Sequence, residues 1–243
     1  MLICILVFHL CFTRANKQLH ALKREIIITS DGSTSINLPE LNEQYHSKKG
    51  AINEAYHVFI RMGLDLFSDD ISILEIGFGT GLNAFITYLE SERRQLNINY
   101  VGVEAYPVLP EEVALLNYVP QLKAENYKYK FEKMHAVSWE ENHEISHTYT
   151  LTKRKQLFED INDENAFNLI YYDAFGSRVQ PDLWEESIFE IMFKALKDNG
   201  VLVTYAAKGS ARRAMQKVGF TVERLDGPPG KREMLRATKK VAE

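Results

Sequence analysis

The sequence predicts an α/β fold: a mostly parallel seven-stranded sheet, covered on both faces and ending in an antiparallel hairpin. Three observations carry this. From Ile71 onward, short apolar runs alternate with amphipathic stretches, the pattern of repeated strand–helix units. Several runs, such as Ile71–Ile76 and Ala166–Tyr172, are apolar nearly throughout, as strands buried on both faces are. The last two runs, Thr221–Leu225 and Glu233–Ala237, are joined only by the turn Gly227-Pro228-Pro229-Gly230, too short for a crossover.

Taken in order, Glu25–Thr29 and Thr34–Asn37 flank an Asp31-Gly32 turn and predict a β-hairpin. Gly50–Phe67 places Ile52, Tyr56, Phe59, Ile60 and Leu64 at helical spacing. Strands are expected at Ile71–Ile76 and Ile98–Val103, with helices at Leu82–Arg94 and Pro110–Asn117. Between Tyr127 and Leu157 the pattern is weaker; strands are read near Tyr129–Met134 and Ser146–Leu151. Ala166–Tyr172 is a buried strand, Leu183–Lys197 a helix, Val201–Ala206 a strand and Ala211–Val218 a helix. The expected division is an extension over 1–22, a hairpin-and-helix unit over 23–68, and the main α/β domain over 69–243.

Composition narrows the class. The 243 residues are 45% hydrophobic and 26% charged with a net charge of −4, which fits a folded chain and excludes a uniformly basic nucleic-acid coat. The only cysteines, Cys4 and Cys11, cannot staple the domain, so a reducing, cytoplasmic compartment is expected. The apolar run Met1–Phe12 is too short to span a membrane and lacks the basic start of a signal peptide; it reads as an extension upstream of the domain. The seven histidines have no metal-ligand spacing: His143 and His147 have no third partner nearby, and no metal is expected.

The most informative stretch is Ile73-Leu74-Glu75-Ile76-Gly77-Phe78-Gly79-Thr80-Gly81. An apolar strand runs into three glycines and a helix opens at once, a junction that brings backbone N–H groups to a ligand. Pyrophosphate-binding loops use G-x-G-x-x-G. Here the spacing is G-x-G-x-G behind an acidic strand end. That suits the ammonium and carboxylate of S-adenosyl-L-methionine better than a diphosphate. Glu104 ends the next strand, 23 positions after Gly81, where a carboxylate accepts ribose hydroxyls. The expected cofactor contacts are Glu75, Gly77, Phe78, Gly79, Gly81, Glu104 and Asp173, and the terminal hairpin fits a Rossmann-like class I methyltransferase.

Asp173 ends the buried strand Asn168–Tyr172, where open α/β sheets place their chemistry, and Gln180-Pro181-Asp182-Leu183-Trp184 follows as a helix start and lid. Leu74–Gly81, Tyr172–Gly176, Gln180–Trp184 and Lys231-Arg232-Glu233-Met234 together resemble the methyltransferase domain of the MnmC type. Thr29–Ser33 and Tyr45-His46-Ser47 resemble the N-terminal region of that family, so the resemblance covers about Lys23 to the C-terminus. The resemblance implies N-methylation of the aminomethyl group of 5-aminomethyl-2-thiouridine at the tRNA wobble position. It also implies a separate enzyme that supplies the aminomethyl precursor. Two departures stand out. Glu75-Ile76-Gly77 replaces the common Glu-Thr-Gly, and the 243 residues leave no room for the flavin-dependent second domain of bifunctional members. The chain thus resembles the stand-alone type.

In that reading Asp173 orients the acceptor amine or takes its proton; the alternative is that it caps its loop or meets the methionine ammonium. Tyr172 and Phe175 are expected to stack a base, unless Tyr172 is simply core. From Lys208 to Lys240 there are ten Lys or Arg against three acids. Lys208, Arg212, Arg213, Lys231, Arg232 and Arg236 are therefore expected at RNA phosphates. The alternative is a solvated face, or a hairpin whose cations pair with nearby acids. A methyltransferase for a small metabolite and a catalytically silent cofactor-binding protein remain open; a nicotinamide oxidoreductase is disfavoured by the glycine spacing.

Overall fold

The computed structural model describes residues 23–240, so expectations for Met1–Leu22 lie outside the described residues. A three-stranded antiparallel sheet comes first, made of β1 (Glu25–Ile28), β2 (Thr34–Leu38) and β3 (Glu43–Gln44) in spatial order β1-β2-β3. The helical segment that follows opens as α1 (Ala51–Ala55) and continues as a π-helix, Tyr56–Arg61. Its apolar positions Val58, Phe59 and Ile60 join the same core as the main sheet.

The main sheet contains β4 (Ile71–Ile76), β5 (Ile98–Val103), β6 (Asn142–Ser146), β7 (Tyr149–Arg154), β8 (Phe167–Tyr172), β9 (Leu196–Thr204), β10 (Thr221–Asp226) and β11 (Glu233–Thr238). Their spatial order is β10-β11-β9-β8-β4-β5-β7-β6. β4 pairs in parallel with β5 and β8, β5 with β7, and β8 with β9. The two ends are antiparallel: β6 on β7, and the β10–β11 hairpin with β11 against β9. The chain winds outward from β4 through β5 to β7 and then returns to β8. The switch point, and with it the ligand crevice, therefore lies at the carboxyl ends of β4 and β8.

Helices α2 (Leu82–Arg94), α3 (Pro110–Val113), α4 (Tyr118–Gln121), α5 (Lys128–Ala136), α6 (Glu186–Ala195) and α7 (Gly209–Val218) connect the strands. Alternate strand residues feed two cores. Ile73, Tyr100, Leu151, Leu169, Tyr171 and Val203 pack with α2, α5 and the π-helix, while Leu74, Ile76, Val101, Ile170, Tyr172 and Leu202 pack with α6 and α7. A sheet covered on both sides has no polar face, which is why its strands read as unbroken apolar runs.

The sheet has eight strands, as many as the runs read along the sequence and one more than the seven-stranded class predicts, and their placement differs between Tyr127 and Leu157. Tyr129–Met134 is helical: Phe131 and Met134, three apart, are the buried pair, and Tyr129 is exposed. Ser146–Leu151 is broken by a turn at His147-Thr148 into β6 and β7, and the edge strand β6 is the eighth. The helix expected at Leu183–Lys197 covers only Glu186–Ala195. β9 starts at once, with Asn199 in the left-handed region and a register shift against β8. Among the described residues no helix is long and apolar enough to cross a membrane.

Candidate active site

β4 delivers the glycine loop to the switch point. Gly77 (φ 92°), Gly79 (φ 49°) and Gly81 (φ 72°) all have positive φ, and a Cβ on Gly77 would lie 2.8 Å from the Asp173 carbonyl. A Cβ on Gly79 would lie 3.1 Å from the Tyr45 ring. The loop is thus wedged between the end of β8 and the N-terminal unit, and only glycine fits. Phe78 turns into the core against Gly102, His135 and Trp139, so its ring is not available to a ligand and only its backbone lines the crevice. Gly81 is the N-cap of α2 and provides no side-chain cap for its first-turn N–H groups.

Glu104 sits where the sequence places it, just past β5. Its Oε2 accepts the Gly79 N–H at 3.0 Å and its Oε1 the Tyr106 N–H at 2.8 Å. Burial pushes its carboxyl above the usual range, and those N–H groups pull it back. Glu75 is fully buried under the loop. Burial and the nearby Asp173 hold its carboxyl well above the usual range, so it acts through a neighbour. That neighbour is Asn83, in the first turn of α2. Its Nδ2 donates to Glu75 Oε1 at 3.0 Å and to Asp173 Oδ2 at 2.8 Å. Two carboxylates fix the amide's orientation and leave Asn83 Oδ1 buried without a partner.

An orphaned acceptor beside Asp173, an uncapped helix N-terminus and the Glu104 carboxylate at the adjacent strand end form a donor and acceptor set. It matches an amino-acid ammonium, a carboxylate and ribose hydroxyls. The crevice fits S-adenosyl-L-methionine.

Beyond Asp173 the walls come from distant parts of the chain. Tyr45 meets Phe175 edge-on at 5.2 Å between ring centres. Tyr205 donates its hydroxyl to the Ala174 carbonyl at 2.9 Å. Lys231 lies 3.7 Å from the centre of the Tyr205 ring and pairs with the buried Glu54 of α1, whose Oε2 also accepts the Ser47 N–H at 2.8 Å. Asp173 is pushed up to about 7, by burial first and then by Glu54, against the pull of Asn83 and Lys231. Burial keeps nearby His46 down at about 4 and therefore neutral at physiological pH.

Several expected positions are corrected by this geometry. Tyr172 is fully buried and packs on Trp184 and Phe189 at 5.2 and 5.4 Å, with its hydroxyl on the Leu183 carbonyl; it is core and presents no face to a base. The Gln180–Trp184 segment is a short 3-10 turn, with the Trp184 indole donating to the Phe175 carbonyl at 2.8 Å, so it is a clamp in place of a lid. Lys231 faces inward to Glu54, and Arg236 pairs with Glu223. Lys208, Arg213 and Arg232 are exposed and Arg212 is half-buried.

Tyr45, Glu54, Asn83 and Tyr205 were not singled out as site residues. Asn83 had a local signal, a polar residue two positions past the last glycine. Glu54 had none, because its partner lies 177 positions away.

The fold, the glycine crevice and the carboxylates at the ends of β5 and β8 define a class I methyltransferase. The profile of the S-adenosyl-L-methionine-dependent methyltransferase family matches residues 118–240, just over half of the chain, and the chain belongs to that family. Within it, the chain is similar to the methyltransferase region of MnmC proteins. It is 28% identical over 223 residues to the tRNA 5-methylaminomethyl-2-thiouridine biosynthesis bifunctional protein MnmC of Delftia acidovorans, covering 82% of this chain and 33% of that protein. The protein of the same name from Azoarcus sp. is 29% identical over 211 residues, covering 79% of this chain and 32% of that protein. The chain thus spans about a third of the length of these curated relatives. The crystal structure of MNMC2 from Aquifex aeolicus superposes with a TM-score of 0.71 at 22% identity, covering 91% of this chain and 72% of that one. A spermidine synthase in complex with the transition-state analogue AdoDATO shares the fold, with a TM-score of 0.53 at 14% identity over 91% of this chain and 76% of that one.

Proposed function

We propose that this methyltransferase methylates a primary amine, and that the amine is the aminomethyl group of 5-aminomethyl-2-thiouridine at the tRNA wobble position. The observation that carries the reading is the acceptor pocket. The Asp173 and Glu54 carboxylates stand beside Tyr45, Phe175 and Tyr205, an acidic and aromatic lining suited to an amine on a flat ring. The tRNA assignment is supported by the curated MnmC relatives and by the exposed cations Lys208, Arg213 and Arg232.

In this reading Glu104 holds the ribose of S-adenosyl-L-methionine, and the Gly77–Gly81 backbone with the first turn of α2 holds its methionine carboxylate. Asn83 Oδ1 and the carboxylates behind it face the ammonium. Bound there, S-adenosyl-L-methionine supplies a sulfonium methyl group for in-line displacement by nitrogen. The amine can react only without its extra proton. Asp173 accepts a hydrogen bond from the amine, orients its lone pair and takes the departing proton. The Tyr45–Phe175 pair offers the aromatic surface against which the uracil ring packs, the role the sequence assigned to Phe175 and Tyr172. Segment 23–68 thereby forms part of the acceptor site as a unit docked on the 69–243 domain. The substrate places the enzyme in the cytoplasm, downstream of a reaction that exposes the aminomethyl group.

The test is incubation with labelled S-adenosyl-L-methionine and tRNA from cells lacking this methylation, followed by digestion to nucleosides. Labelled 5-methylaminomethyl-2-thiouridine is the expected product. Cofactor binding with no label in RNA would sink the tRNA assignment and favour a small-metabolite acceptor.

A further inference from the structure

Glu54 and Lys231 reach the same point from distant parts of the chain and pair there. Glu54 is 7% exposed, in α1; Lys231 comes from the loop between β10 and β11. Its ammonium lies over the Tyr205 ring, and Tyr205 is anchored to the Ala174 carbonyl, one residue beyond Asp173. A buried carboxylate and a half-buried cation therefore flank the group that receives the acceptor. A surface phosphate contact has no use for a lysine that is turned inward and already paired.

We propose that Glu54 and Lys231 are positioning residues that act as a balanced pair: the cation cancels the Glu54 charge beside Asp173, leaving Asp173 alone to receive the proton of the incoming amine. The inference rests on the amine-methylation reading and adds two residues to it. The groups facing Asp173 are few. Asn83 donates to it from α2, with Glu75 of β4 behind that amide. Glu54 and Lys231 act on it from α1 and the last hairpin, and the Tyr205 hydroxyl stands at the end of β9. Glu43 of β3 is also near Tyr205, but Arg178 pairs with it at 3.1 Å. Asn83 carries no charge and Glu75, pushed well above the usual carboxylate range by burial, stands behind that amide, so Glu54 and Lys231 are the paired charges whose removal Asp173 must register.

Opposite single changes must then have opposite effects. The experiment is a pH titration of the cofactor-loaded protein labelled with 13C at aspartate carboxyls, the Asp173 signal being identified by its loss in D173N. In E54Q the unpaired lysine favours the carboxylate and the midpoint moves down, by about one pH unit for an opposite charge at this range. In K231M the unpaired Glu54 opposes it and the midpoint moves up by about as much. The double variant E54Q/K231M and the conservative K231R stay near wild type. If K231M does not fold, K231Q, which keeps a polar partner for Glu54, takes its place. Midpoints that stay fixed in both single variants, or move in the same direction, overturn the proposal, because a purely structural pair would lower activity without opposed titration shifts. The acid limb of kcat/KM on aminomethyl tRNA is expected to follow the same order. The titration needs no RNA, so failure of the wild type to methylate tRNA would sink the substrate reading separately.

Discussion

At the scale of single residues, Asp173 combines two demands that pull against each other. Its carboxyl is raised to about 7 by burial and by Glu54, which poises it as a base near neutral pH. The same shift makes it a liability to the fold. For an acid whose pKa is raised by folding, the stabilising contribution is complete below the unfolded value of 3.8 and is lost as pH rises through 7. D173N should therefore be more stable than wild type at pH 8, by up to about 4 kcal/mol, and the gap should close toward pH 4. It should still bind S-adenosyl-L-methionine by calorimetry while losing roughly 100- to 10,000-fold in kcat/KM. Equal melting curves at pH 8 would mean that Asp173 is not strained in its charged form.

At the scale of elements, the N-terminal hairpin and α1 are joined by one carboxylate. Asp31 Oδ1 accepts the Thr29 hydroxyl at 2.8 Å and the Ser33 N–H at 3.1 Å, while its Oδ2 accepts the Asn53 N–H at 3.0 Å. It thus caps from the preceding turn a helix whose own N-cap, Gly50, has no side chain. Burial alone would raise the Asp31 carboxyl, but the bonds from Ser33, Asn53 and Thr29 win and hold it below 3.8. D31A should cost about 1–2 kcal/mol, and for a domain of this size each kcal/mol lowers Tm by about 2–4 °C. Because the folded value is depressed, that contribution is present above 3.8 and is lost as the pH falls below it. Thermal melts of D31A and wild type should therefore converge in acid. The hairpin was legible from Asp31-Gly32, as were the glycine loop, Glu104 and Asp173, because each signal is contiguous or tied to a strand end. Tyr172 was misassigned because a sheet covered on both faces buries both members of Tyr171-Tyr172. Tyr129–Met134 has a strand-like composition, but its buried residues, Phe131 and Met134, are three apart, as on a helix. Lys231 looked like a surface cation because nothing within hairpin range discloses its partner on α1.

At the scale of the whole molecule, the cations of the last third divide into inward and outward groups. Lys208, Arg213 and Arg232 are exposed, whereas Lys231 is spent on Glu54 and Arg236 on Glu223. If tRNA phosphates meet the outward group, the triple variant K208Q/R213Q/R232Q should flatten the slope of log affinity against log salt by about 2–3. K231Q should leave that slope unchanged. Fluorescence anisotropy with labelled anticodon stem-loop over a salt series measures both; an unaltered slope in the triple variant would place the RNA on another face.

The glycine loop and Glu104 lie within one stretch of strand, helix and strand, whereas Tyr45 meets Phe175 and Glu54 meets Lys231 across long stretches of the chain. The two halves of the site should therefore fail separately on heating. α1 and the π-helix share the core of the main sheet, whereas the β1–β3 sheet is held through polar contacts such as Arg24 to Glu112 at 2.9 Å and Thr34 to Asn117 at 2.8 Å, and partial opening starts where such docking is thin. On warming, methyl transfer to the acceptor should cease several degrees before S-adenosyl-L-methionine is released, leaving a span of temperature in which the enzyme is loaded but idle.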